Sequence, residues 1–302
     1  MSTPLRVAAF VAGLAAFFAL AFGVGNAVGP LDVKVDGHED MGGADMSTSR
    51  GDEHAGMDTT TAAAVGGLQT SEDGYTLALE DGRLPAGRQP VAFTITGPDG
   101  HPVTAYDEQH EKDLHLIVVG RDLHGFQHVH PVLDAAGRWS TVVDLTPGAW
   151  RVIADFTPTG GDPLVLGSDL LVPGRSTPAG LGPDRRTATV GRYDVSLGGD
   201  LVAGQESELT LTVRKDGAPV TDLDPYLGAY GHLVALRAGD LAYLHVHPDG
   251  GPGDVAPGPA IVFHAEVPSN GAYRLFLDFR HDDVVRTAAF TVHVGGEAGH
   301  EH

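Results

Sequence analysis

After residue 67 the apolar positions come in short runs of Val, Thr, Leu and Phe, broken every few residues by Gly, Pro or Asp. Runs of this kind predict β-strands, and no long helical periodicity competes with them. The expected strands are 75–79, 91–96, 115–119, 126–130, 139–144, 149–156 and 165–172 in a first set. A second set covers 193–197, 208–213, 232–237, 241–245, 260–267, 272–279 and 285–294. The pattern predicts an all-β protein with two tandem immunoglobulin-like β-sandwich domains, over 68–173 and 187–294. A Gly/Pro-rich linker, 174–186, joins them, and 295–302 is a polar tail.

The N-terminal pattern is different. Residues 7–28 are apolar and carry no charge. A helix of about 20 such residues spans the hydrocarbon core of a bilayer, so residues 1–30 are expected to hold a membrane anchor. Arg6 before the segment and Asp32 after it place Met1 in the cytoplasm and the rest outside. A cleaved signal peptide, cut near Ala19-Leu20-Ala21, is the other reading and gives a secreted protein. Segment 31–67 is rich in Gly, Asp, Ser, Thr and Ala and has no aromatic residue. It cannot bury enough apolar surface to fold alone and reads as a flexible tether.

Composition narrows the chemistry. A formal net charge of −21 leaves no basic surface for phosphates, so nucleic acid is not an expected partner. The chain has no Cys, so a transition-metal site must come from His, Met, carboxylates or backbone groups. Gly-rich phosphate loops and nucleophile elbows are missing from the sequence, and no enzymatic activity is expected.

The candidate chemistry lies in a repeat. His-Val-His-Pro occurs at 128–131 and again at 245–248, each time thirteen residues after a His-Leu pair, at 115–116 and 232–233. All these positions are offset by 117 residues, as are Asp99-Gly100 and Asp216-Gly217. Farther on the offset becomes 123, pairing Arg151 with Arg274 and Asp155 with Asp278, after a Gly/Pro-rich insertion at 249–259. His101, His110 and His124 have no counterpart in the second copy.

Two trios are therefore candidate metal ligands: His115, His128 and His130, and His232, His245 and His247. Residues i and i+2 of a strand share a face. If His115 sits opposite His130 in a hairpin, all three imidazoles of the first trio project together. A slip of one residue would separate them. Three imidazoles with an open position suit copper or zinc. Asp155 and Asp278, carboxylates within apolar strands, are further candidates; the alternative for each is a hydrogen bond or ion pair with the matching Arg, or with another Arg brought close by the fold. His38, Met41, Met46, His54 and Met57 of the tether add donors suited to Cu(I). A second reading gives the paired His a structural role, holding backbone carbonyls beside the Pro turn.

The sequence from His115-Leu116 through Phe126-Gln127-His128-Val129-His130-Pro131 to Trp150-Arg151 and Asp155-Phe156 resembles exported YtkA-like immunoglobulin-fold domains of actinobacterial envelopes. The second copy repeats it. A weaker similarity is to CopC-type copper-binding sandwiches, which use an N-terminal amine with His and Asp; no such His opens the exported region here. The resemblance implies envelope β-sandwiches with a link to metal handling. The expected function is extracytoplasmic metal capture or buffering, with copper first and one site per domain. The alternative is a non-catalytic envelope scaffold or interaction module.

Overall fold

The structure is a computed structural model and describes residues 65–295 except His245. The apolar 7–28 segment, and the tether as far as residue 64, lie outside the described residues. Among those described there is no helix, hence none long and apolar enough to cross a membrane.

The first domain contains β1 (Ser71–Glu72), β2 (Tyr75–Leu79), β3 (Gly87–Thr96), β4 (Tyr106–Asp107), β5 (Leu114–Gly120), β6 (Gln127–Val129), β7 (Val132–Leu133), β8 (Arg138–Leu145), β9 (Gly148–Pro158) and β10 (Leu164–Val172). The second contains β11 (Thr187–Val190), β12 (Tyr193–Gly198), β13 (Glu206–Lys215), β14 (Ala218–Pro219), β15 (His232–Arg237), β16 (Tyr243–Leu244), β17 (Val246–Pro248), β18 (Ala260–Glu266), β19 (Gly271–His281) and β20 (Val284–Val294). One sheet of the first domain has the order β1-β2-β3-β8-β7, and the other β10-β9-β5-β6. The second domain repeats both orders, as β11-β12-β13-β18-β17 and β20-β19-β15-β16. The two domains are therefore all-β sandwiches of one topology, as the repeat requires. The strands of only two or three residues, such as β4, β7 and β17, are too short to show any periodicity.

Alternation explains most strands. In β13 every second residue is buried while its neighbours are wholly or partly exposed, the pattern of a sheet with one wet face. Leu209, Leu211 and Val213 enter the core of the second domain. In contrast, β5 is buried at every position. Its Leu114, Leu116 and Val118 enter the core of the first domain. Ile117 and Val119, on the other face, belong to a third core shared by the two domains.

That third core also contains Ile153, Val234, Leu236, Tyr243 and Phe276. The sheet of β5 and β9 packs outward against the sheet of β15 and β19, within one compact unit, Thr59–His302. Phe126 stacks on Phe276, with ring centroids 3.9 Å apart and planes at 8°. Their repeat counterparts, Tyr243 and Ile153, both belong to the same core. Such reciprocal placement is that of a two-fold interface, here between two halves of one chain. Each fully buried Ile, Leu or Phe contributes about 1.5–3 kcal/mol, so the seam joins the domains firmly.

Residues 65–67, assigned to the tether by composition, are docked on this seam. Gly66 exchanges two backbone hydrogen bonds with Tyr243, and Gly67 N–H donates to Val165. A Cβ on Gly66 would lie 2.5 Å from that of Val165, so only glycine permits the approach. The linker is docked as well: Ala179 N–H donates to Asp122, and Leu181 packs against the third core.

Candidate metal centre

The first trio is assembled by strand pairing. In the ladder of β5 with β6, Leu116 pairs with Val129 and Ile117 with His128. Continuing that register by one step sets His130 level with His115. His115 projects from the same face as Ile117, toward the seam. One nitrogen from each of His115, His128 and His130 lies within 4.8 Å of the other two.

The hydrogen bonds around the trio fix most of its protons. His115 Nε2 faces the Gln109 carbonyl at 3.0 Å. A carbonyl only accepts, so Nε2 carries the proton and a neutral His115 has its lone pair on Nδ1. His128 Nδ1 lies 2.9 Å from Asp278 Oδ2 and donates to that carboxylate. A neutral His128 therefore has its lone pair on Nε2. These two lone-pair nitrogens, His115 Nδ1 and His128 Nε2, face each other at 2.9 Å. Two acceptors at that distance need a cation between them, either a proton or a metal ion. Among the described residues, His130 Nε2 and His232 Nε2 are also buried without a hydrogen-bond partner.

Burial disfavours a charge on His115, His130 and His232. Desolvation, helped by repulsion from neighbouring imidazoles, lowers the His115 pKa to about 4 and that of His130 to about 3. The same causes take His232 well below its ordinary value. Neutral imidazole is the form that ligates metals.

The second copy contributes to this cluster. In the ladders, His232 pairs with Asp278 as His115 pairs with Asp155. The His232 ring stacks on His115, with centroids 5.3 Å apart and planes at 6°, and lies 4.8 Å from His128. His247 is placed differently. It lies on β17, which pairs with β18 in the other sheet, opposite His264, and it is exposed. His245 lies outside the described residues. Where one trio per domain was expected, the structure gathers imidazoles of both domains at the seam.

Neither Asp is paired with the Arg of its own strand. Asp278 accepts from His128 and, at 2.5 Å, from the Thr287 hydroxyl. Asp155 is hydrogen-bonded by Tyr243 across the seam, and burial raises its pKa to about 6 despite that bond. Arg151 donates instead to Gly67 O, Leu68 O and Asp169, and Arg274 to Thr291. The tether candidates His38, Met41, Met46, His54 and Met57 lie outside the described residues.

One residue of the cluster was passed over because the repeat lacks it. The His110 ring lies 6.0 Å from His115 and 5.6 Å from His232. It sits in a tight turn closed by two hydrogen bonds between Gln109 and Lys112. His110 and Glu111, the central residues, have φ of 48° and 64°. A two-residue turn with both centres left-handed normally takes Asn and Gly. A non-glycine residue held there costs on the order of 1 kcal/mol. The second copy has the same turn between Tyr226 and Ala229. Its centres are Leu227 and Gly228, the second being the usual glycine. Carrying that Gly-marked turn back by 117 residues would have flagged His110.

The donor set fits a transition metal. Ligating His residues usually give their second N–H to a carbonyl or carboxylate, which fixes the ring. Gln109 O and Asp278 already hold His115 and His128 in that way. Ligands at about 2.0–2.1 Å from one Zn lie roughly 3–4 Å apart, so His115 and His128 need to part by only a few tenths of an ångström.

No curated protein matches this chain. Among solved structures, it is similar to the Escherichia coli adhesin FdeC, at 14% identity and TM-score 0.24, over 75% of this chain and 65% of that one. The Yersinia pseudotuberculosis adhesin InvE matches at 10% identity and TM-score 0.22, over 74% of this chain and 60% of that one. Fibronectin(III)-like modules of Clostridium thermocellum CbhA match at 12% identity and TM-score 0.20, over 75% and 99%. The chain spans less than two thirds of the FdeC and InvE chains, and likeness at these scores says nothing about its role. A family profile matches once in each sandwich, at residues 69–165 and 188–296, so the chain belongs to the family described as a domain of unknown function, DUF8832.

Proposed function

We propose that this chain is an extracytoplasmic metal-binding protein that captures or buffers copper, with zinc as the second choice of ion. Its sandwiches are read as immunoglobulin-like, and the apolar 7–28 segment as the anchor that holds them outside the cytoplasm. His115 Nδ1, His128 Nε2 and His130 Nε2 would hold the ion. The observation that carries this reading is the pair of lone-pair nitrogens facing each other at 2.9 Å. A bound ion supplies the positive charge that this pair otherwise takes from a proton. The lowered pKa values of His115 and His130 support it, because protons compete weakly for those rings at neutral pH. Copper is placed first because it leads the divalent affinity order for such ligands.

The test is equilibrium dialysis of the full-length protein in detergent against Cu(II) and Zn(II) at neutral pH. Uptake by the parent and its loss in His128→Ala are expected; no uptake by the parent sinks the proposal. A structural role for the cluster has its own support in the buried bond from His128 to Asp278, which ties the two domains together. On that reading His128→Ala lowers the unfolding temperature and changes no metal content.

A further inference from the structure

His110 and His247 have no part in the trio, yet both line one cavity of about 540 Å³, with Gln109 and Pro163 as its other walls. One imidazole comes from each domain. His247 is exposed, His110 is half-buried, and His115 behind them is 3% exposed. The His110 ring also neighbours those of His115 and His232. A line of imidazoles therefore runs from the surface to the trio. The strained turn strengthens the case. Strain of this kind persists where the surrounding structure enforces it and clusters at functional positions. The second copy builds the same turn with a buried, likewise left-handed Leu227 and a Gly228, so the strain peculiar to the first copy lies at Glu111, beside the one imidazole of the two turns.

We propose that His110 and His247 form an outer metal position, through which a divalent ion passes to the buried trio. The inference rests on the reading of the trio as a metal site. A hydrated ion cannot enter a buried cluster with its water shell intact. Two imidazoles at an open cavity replace part of that shell, and the His115 ring follows, its centroid 6.0 Å from that of His110. Two imidazoles hold an ion more loosely than three, as a transfer position requires.

The probe is Cu(II) itself, added to the full-length protein in detergent at neutral pH. Stoichiometry is read by dialysis and loading by stopped-flow absorbance. The parent is expected to take two ions, one tighter than the other. The double variant His110→Asn, His247→Gln should take one ion and load it at least tenfold more slowly. Asn tolerates the left-handed conformation, so the turn survives the change. A variant that still takes two ions, or that loads at the parental rate, overturns the proposal. A parental rate would favour access through the groove of Glu108, Glu111 and His130. A parent that takes one ion overturns the outer position and leaves the trio standing; a parent that takes none overturns both.

Discussion

In the first domain the strand after Phe126 stays beside β5 as far as Val129. In the second, its counterpart pairs with β15 at Tyr243 and Leu244, and by Val246 it is paired with β18. The spacing of the His residues is the same in both copies. The early crossing leaves His247 exposed, whereas its counterpart His130 lies beside His115. Duplication fixes which imidazoles exist, and the length of one ladder decides which of them meet. The second domain then complements the first: Asp278 orients His128, and His232 covers His115. The two turns divide at their second centre, a left-handed Glu111 in one copy and a relaxed Gly228 in the other, while the first centre is a left-handed non-glycine residue in both, His110 and Leu227.

The largest expected effect comes from removing the partner of the buried carboxylate. His128 and Asp278 side chains are 1% and 4% exposed. His128→Ala should cost about 3 kcal/mol in urea unfolding, whereas His247→Ala should change stability by less than about 0.5 kcal/mol. Equal losses would show that the copies are not divided as described.

Acid should act through the same cluster. His115 folds with its pKa lowered from 6.5 to about 4. Below pH 6.5 the unfolded chain binds a proton that the folded chain refuses. Stability present above pH 6.5 is therefore lost as the pH falls toward 4, by about 1.4 kcal/mol per pH unit for this one group. In metal-free protein, a His115→Phe variant should show a shallower decline in stability between pH 6.5 and 4. An unchanged slope would assign the acid sensitivity elsewhere.

The two seam carboxylates offer a finer contrast. Asp278→Asn should weaken metal binding about tenfold or more, the usual effect of losing the group that orients a ligating His. Asp155, which is bonded to Tyr243, should matter less than threefold when changed to Asn. Competition against a chromophoric chelator measures both, and equal effects would remove the distinction.

The smallest effect concerns the turns. Glu111→Gly should raise stability by roughly 0.5–1 kcal/mol by relieving a left-handed residue, and Gly228→Ala should lower it by about 1 kcal/mol. No atom lies within 4 Å of a Cβ built on Gly228, so its penalty would be purely conformational. Thermal unfolding of both variants tests the pair.

The sandwiches were legible because one-faced strands such as β13 carry their burial in their alternation. The duplication was legible in residues spaced at 117. The seam was harder to read. The run Leu114–Gly120 has no alternation, since both of its faces are covered; that is the mark of a strand buried twice, but it does not say by what. The crossing puts the partner of Val246 on β18, where its counterpart Val129 pairs with β5, and composition holds no trace of it. His110 was hidden because its turn lacks the Gly that marks the other copy.

The backbone bonds between Gly66 and Tyr243 have a mechanical meaning. A pull on the chain before Val65 is delivered first to the line where the domains meet, and only afterwards to either sandwich. Tyr243 is also the residue that holds Asp155 across that line. Force applied at the N-terminal side would thus reach the seam, and with it the bond from His128 to Asp278, before any strand of the sandwiches is peeled.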